Sequence, residues 1–428
     1  VRLAIEMLID VNKNLMGNNT DKYTFDLVVI GGGAAGFFGA LQTLSRKPKA
    51  RVLLIEKSTK LLAKVKVSGG GRCNVTNSLS DKKEFSKRYP RGEKHVFRLL
   101  HQFGQDDTVR WFEERGVAIK AEEDGRMFPV SDSSQSIIDC LMNEADSLGL
   151  KISLQESVEQ ITPLESGFTL VTDKQTLTCK NILIASGGHP KKEGFKWLMD
   201  LGFEVVDPVP SLFTFNIPNH PLKDLMGLAA TVRIRVDGSK LQETGPMLIT
   251  HWGFSGPAVL RCSAWGAREL EQKNYQTTIR IHWLPELTEE EVREWLGKLR
   301  ISSAKKQVHS RIFDALPQRL WDALCDRAGI AAETKWADIS SKAFNTLIST
   351  LCADAYPING KTTFKEEFVT CGGISLKEID SQTCMSRKLP GIFFAGEILD
   401  VDGITGGFNF QHAWSSGFVA GNAIAERC

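Results

Sequence analysis

No stretch of the sequence approaches the ~18 uninterrupted apolar residues of a membrane-spanning helix. A surplus of one charge is missing too: 53 basic residues face 51 acidic ones, for a formal net charge of +2. That balance argues against a protein that lives on nucleic acid and leaves a small-molecule substrate as the expected partner. There is no C-x-x-C and no H-E-x-x-H, so nothing supports a metal site. The nine cysteines are scattered singly, an odd number without repeated short spacing. This argues against a secreted disulfide framework and fits a reducing cytoplasm. No internal repeat or low-complexity linker breaks the chain. Residues 1–20, which begin at Val1, lack the basic flank, apolar centre and small-residue exit of a signal peptide. They are expected to be a dispensable extension, with Met16 as an alternative start.

What is present is the makings of a large core: 428 residues, 42% hydrophobic and 24% charged, suit two or three domains. Residues 25–30 (FDLVVI) form the short β-branched run of a buried parallel strand. Gly31, Gly33 and Gly36 follow in G-x-G-x-x-G spacing around Ala34 and Ala35, and residues 37–45 read as a helix. The first glycine permits a tight turn, the second lets the backbone approach a pyrophosphate, and the third lets helix and strand pack closely. Free N–H groups and the positive end of the helix dipole then face the phosphates. A second strand, residues 51–55, ends at Glu56, twenty residues after Gly36. An acid there accepts hydrogen bonds from ribose hydroxyls and repels a 2′-phosphate, so the dinucleotide is FAD or NAD.

Residues 64–77 (KVKVSGGGRCNVTN) replace the plain strand–helix unit that a dehydrogenase would place here. A glycine-rich loop with hydroxyl, amide and guanidinium groups suits a flat polar ring and its ribityl-phosphate tail. Cys73 has Ser78 five residues on, so no C-x4-C dithiol is present and Cys73 reads as a packed thiol. Residues 181–184 form a strand that ends in Ala185, Ser186 and Gly187, similar to the A-T-G segment beside the dinucleotide of two-part flavoproteins. Near the end of the chain, a strand at 391–395 runs into Gly396 and Glu397, an acid placed to bind ribityl hydroxyls. Asp400 and Asp402 follow, and residues 405–407 then open a helix from about Asn409 to Ala425. Its N–H groups would face the O2/N1 edge of an isoalloxazine, where negative charge grows on reduction.

Between about 205 and 365 the pattern changes. Residues 231–236 and 278–283 alternate apolar and polar side chains, as half-buried antiparallel strands do, and Asp237-Gly238 marks a turn. Thr288 with Glu291 forms a capping box before a helix, and Val292, Trp295, Leu296 and Leu299 recur at helical spacing. No second G-x-G-x-x-G occurs, so NAD(P)H could dock only transiently.

GGGAAG, SGGGRCNVTN, GRMFPVSD, HWGFSGPAVL and GEILDVDGITGGFNFQHAWSSG, spread from about Asp26 to Arg427, resemble the HI0933-like (BaiN/YhiN-type) flavoprotein family. The resemblance implies an α/β fold: a Rossmann-like FAD-binding domain in two segments, interrupted by a β-rich, barrel-like segment and a small helical segment. The expected boundaries are an extension at 1–20, the first FAD-binding segment at 21–204, the β-rich insert at 205–286, the helical insert at 287–352 and the second FAD-binding segment at 353–428. FAD, bound non-covalently, is the implied cofactor. Together with the loop reading, the resemblance carries the FAD contacts to Lys57, to Ser68, Gly70, Gly71, Arg72, Cys73, Asn74 and Thr76, and to Gly407, Phe408, Asn409 and Phe410. It also places Val158, with Glu156 and Ser157, at the end of a strand near the adenine. Phe408, Phe410 and His412 depart from residues common in the family.

The implied activity moves a hydride between flavin N5 and a small organic substrate, with NAD(P)H or oxygen as redox partner. Family members include a bile-acid-pathway reductase and an aminoacetone oxidase, so the substrate stays open. An oxygen-dependent amine-type oxidase is one alternative and a flavin-dependent nucleic-acid modifier another. His412, early in the last helix, and His251, in a glycine-rich loop with Trp252 and Ser255, are the candidate catalytic groups.

Overall fold

The computed structural model describes residues 23–310, 316–362 and 369–428; the expected N-terminal extension lies outside them. Strand Phe25–Ile30 stands inside a seven-stranded sheet whose faces are both covered, which is why its residues are apolar without alternation. On one side it pairs in parallel with Val52–Glu56, which pairs in turn with Lys151–Leu154. On the other side lies Thr176–Ile184, and that strand is shared. Its first half takes an antiparallel meander, Phe168–Thr172 and then Val158–Pro163. Its second half, Ile182, Leu183 and Ile184, pairs in parallel with Ile392, Phe393 and Phe394. The chain thus leaves this domain and returns to the same sheet.

Helices Ala34–Arg46 and Phe408–Ala425 cross the sheet together along a glycine seam. A Cβ on Gly417 would lie 2.6 Å from the Ala35 carbonyl oxygen, and one on Gly421 would lie 2.6 Å from that of Gly39. The register makes the helices parallel. Gly417 is nine residues into its helix and Ala35 one residue into its own, so the two N-termini are offset by roughly 12 Å along the axis. Both ends carry a glycine N-cap, Gly33 and Gly407, and neither has a side-chain cap.

Val205–Ser211 and Val369–Ile374 pair antiparallel and carry the chain out to the insert and back. The insert holds a second seven-stranded sheet, antiparallel throughout, in the order Asp354–Asn359, Gln276–His282, Ala229–Val236, Gln242–Thr250, Gly253–Ser255, Thr214–Asn216, Lys361–Thr362. Gly360 alone joins the two outermost strands, so the sheet curls round towards a barrel. Its inner face shares one core with the helices Glu289–Ser302, Gln318–Arg327 and Ser341–Ala353. The β-rich and helical inserts are therefore one packed unit. That unit also draws its last strands from 354–362, past the expected limit of 352, because the sheet needs them at both edges. The Thr288–Glu291 capping box forms as read, with both hydrogen bonds present.

Two local expectations differ. Part of the glycine-rich loop is helical, as Ala63–Gly71, and is broken where Gly69 and Gly70 adopt positive φ of 58° and 68°. Glu156 and Ser157 do not end a strand; they link Lys151–Leu154 to Val158–Pro163, which Val158 opens. Among the described residues, no helix is long and apolar enough to cross a membrane.

Candidate active site

A cavity of about 550 Å³ lies between the large sheet, the N-termini of the two parallel helices and the insert. That volume sits within the roughly 300–1,000 Å³ of ligand and cofactor sites. Its wall is built first by the phosphate loop. Gly31 has φ of 111°, and a Cβ there would lie 2.4 Å from the Ala185 carbonyl oxygen, so this turn tolerates no side chain. A Cβ on Gly36 would lie 2.0 Å from the Gly31 carbonyl oxygen, which makes it a packing glycine outside the cavity wall. Gly33 has nothing within 4 Å, so its backbone faces open space beside Ala34 and Ala35 at the helix start. Glu56 lines the cavity with its carboxylate held by the N–H groups of Gly32 (2.9 Å) and Ser58 (2.8 Å).

The glycine break supplies Ser68, Gly70 and Asn74 to the wall. The Asn74 amide, oriented by its partners, accepts from Gly407 N–H at 2.9 Å and donates to the Thr76 carbonyl at 3.0 Å, so it ties the loop to the last helix. Ala185, Ser186 and Gly187 arrive at the end of the shared strand; Gly396 and Glu397 arrive from the strand beside it. Glu397 accepts from Thr370 N–H at 2.9 Å and pairs with Lys64. Gly407, Asn409, Phe410 and His412 close the far end, and the insert roofs it with Leu212, Thr214, Ser255, Leu260 and Thr362.

Other candidates lie outside the cavity. Lys57 is exposed beyond the strand end. Gly71 follows the break, and Arg72 turns to Glu122 at 2.6 Å and stacks 4.0 Å over Phe128. Cys73 is fully buried, and burial pushes its thiol up to about 12. Thr76 donates to Gln411 Oε1 at 2.6 Å, Val158 pairs with Thr172, and Phe408 packs edge-on against Phe85 at 4.8 Å. Asp400 is half-buried and faces Arg268 of the insert, and desolvation raises its carboxyl. His251 sits exposed on Trp252 in the turn between Gln242–Thr250 and Gly253–Ser255; of His251, Trp252 and Ser255, only Ser255 reaches the cavity.

His412 does line the cavity, but only 2% of it is exposed. Burial and the neighbouring His95, whose ring lies 6.0 Å away, push its imidazole down to about 3. It is neutral at neutral pH, and its Nε2 has no hydrogen-bond partner. His412 is therefore suited to hydrogen bonding at the cavity wall rather than to storing a proton. Arg126 and Phe128 also line the cavity, although neither is among the sequence candidates. Their signal lies in the GRMFPVSD segment, which on sequence carries a resemblance and no assigned role.

The donor set fits FAD. Two glycine-capped helix ends, roughly 12 Å apart along the axis, offer uncapped N–H groups to a long dianionic ligand. Ser186 Oγ and His412 Nε2 are buried at the wall without partners, a state that costs roughly 1–3 kcal/mol per group unless a ligand satisfies it. A two-segment Rossmann domain with this cleft defines an FAD-dependent oxidoreductase.

The chain belongs to the family of the HI0933-like protein Rossmann domain, matched over residues 25–423. It is 31% identical over 406 residues to a ribosomal RNA dihydrouridine synthase of Escherichia coli, covering 92% of this chain and 96% of that one. It is 27% identical over 408 residues to a 3-dehydro-bile acid delta(4,6)-reductase of Clostridium scindens, covering 93% and 98%. Its fold is similar to the open conformation of a flavocytochrome c3 fumarate reductase, with a TM-score of 0.50 at 16% identity over 100% of this chain and 81% of that one.

Proposed function

We propose that this enzyme reduces a carbon–carbon double bond conjugated to a carbonyl, and that its substrate is a uracil base in ribosomal RNA. The observation that carries this reading is the 31% identity to a ribosomal RNA dihydrouridine synthase across 92% of the chain. The bile-acid reductase relative supports the bond type, because its name also describes reduction of an unsaturated ring.

When bound, FAD supplies hydride transfer at its N5. The chain's own residues hold the reacting ring flat and dry. Leu212, Leu260, Val401 and Ile404 exclude water, and the hydroxyl of Ser255 offers a hydrogen bond to a carbonyl of a pyrimidine. The N-terminal N–H groups of the helix that begins at Phe408 stabilise charge that develops during reduction. Neutral His412 offers one hydrogen bond at Nε2 without adding a charge. In this reading NAD(P)H is the transient electron donor, and a ribosomal substrate sets the cytoplasm as the working compartment.

The test is to incubate the FAD-loaded protein anaerobically with NADH or NADPH and deproteinised bacterial ribosomal RNA, then digest the RNA and quantify dihydrouridine by mass spectrometry. Dihydrouridine that depends on enzyme and nicotinamide supports the reading. Reduction of an unsaturated 3-oxo steroid with no dihydrouridine would transfer the protein to small-molecule reduction. Oxygen consumption with an amine and no nicotinamide would make it an oxidase.

A further inference from the structure

The outer face of the insert's sheet is basic on one side and reaches the cavity on the other. Alternation sends Thr231, Arg233 and Arg235 outward from Ala229–Val236. Pairing sets Arg235 between Gln242 and Arg280, and Arg233 between Thr244 and His282. Ala355, Pro357 and Asn359 extend the same face on the next strand. Among the described residues, no carboxylate stands at these outward positions. Asp237, in the adjoining turn, holds Arg280 at 2.8 Å, and Arg233 donates to the Pro285 carbonyl. Arg235 is exposed and stands directly opposite Arg280.

The face continues to the cavity. Leu248 pairs with Ser255, so both point to this side, and Thr214 and Thr362 carry the side one and two strands further. Ser255, Thr214 and Thr362 all line the cavity. From Ser255 to Arg235 the surface runs roughly 20 Å, six residues along Gln242–Thr250 and two strand spacings across.

We propose that this face docks the phosphate backbone of an RNA strand whose base occupies the cavity; the proposal rests on the ribosomal RNA reading. Guanidinium forks match phosphate oxygens in pairs, and backbone contacts set affinity without reading sequence. A chain of net charge +2 then binds RNA through a local basic face rather than through a global surplus.

The test uses FAD-loaded protein and a fluorescent, uridine-containing RNA stem-loop, with affinity measured by anisotropy across a salt series. Arg235→Gln is expected to weaken binding about tenfold at low salt and to lower the salt slope by about one, as for one lost phosphate contact. Arg233→Gln/Arg235→Gln loses more, whereas Lys151→Gln, on the edge strand of the other sheet, binds as wild type. Unchanged flavin spectra and melting temperatures show that the variants fold. Wild-type affinity and slope in the double variant overturn the proposal. So does binding to phosphatidylglycerol vesicles with none to RNA. Salt-dependent RNA binding that falls in Arg235→Gln upholds the docking face even where no dihydrouridine forms, so this proposal and the substrate reading fail separately.

Discussion

The buried pair His95 and His412 makes stability steeply pH-dependent. Burial holds both rings neutral, with His95 pushed down to about 4 and His412 to about 3, against 6.5 when exposed. The folded state therefore resists protonation while the unfolded chain accepts it. Their contribution is intact above pH ~6.5 and is lost as pH falls towards the folded values. At pH 5, one and a half units below the exposed value, each histidine costs about 2 kcal/mol at about 1.4 kcal/mol per unit. A folded value one unit higher would leave most of that loss in place. The perturbation is His412→Asn, which removes one titrating ring and keeps a hydrogen-bonding side chain. Urea unfolding of FAD-saturated wild type and variant at pH 8 and pH 5 cancels the carboxylates common to both. Wild type should lose about 2 kcal/mol more than His412→Asn between the two pH values. Parallel losses would refute the claim that His412 is held neutral.

Gly417→Val forces the helix seam apart, because its Cβ would start 2.6 Å from the Ala35 carbonyl oxygen. It should cost roughly 1–3 kcal/mol and release flavin at a lower temperature, read by the rise in flavin fluorescence on heating. Glu56→Gln removes the charge held by the Gly32 and Ser58 N–H groups. FAD titration of the apoprotein should show about a tenfold weaker Kd, with Lys57→Gln unchanged. Asp402 is fully buried and forms an ion pair with Arg91, which also reaches the Ala264 carbonyl of the insert at 2.7 Å. Asp402→Asn should cost roughly 3–5 kcal/mol in urea unfolding, and adding Arg91→Met should restore some of it.

The phosphate loop is legible in the sequence because Gly31, Gly33, Gly36 and Glu56 do their work close together along the chain, with spacing that mirrors geometry. The return of the chain to the sheet is legible as a pattern but not as a contact: nothing in the letters says that Ile392 pairs with Ile182. The seam of Gly39, Gly417 and Gly421 is invisible there, since a glycine inside a helix shows its reason only when the opposing backbone is in place. His251 is misplaced by adjacency. It shares a segment with Ser255, but a strand rises about 3.3 Å per residue, and the hairpin turn holds His251 at the end away from the cavity. Arg72 and Phe408 share motifs with true lining residues, yet Arg72 turns to Glu122 and Phe408 packs onto Phe85.

The parallel pairing of Ile182–Ile184 with Ile392–Phe394 also orders events during synthesis. The first Rossmann segments and the insert, with its own separate core, can collapse while the ribosome is still extending the chain. The strand at Thr176–Ile184 must wait meanwhile with one edge open, and the phosphate-loop helix must wait without its glycine-seam neighbour. Closure of so long a loop is slow, and it completes the cavity last. The FAD cavity is therefore complete only once the last strand and helix have docked.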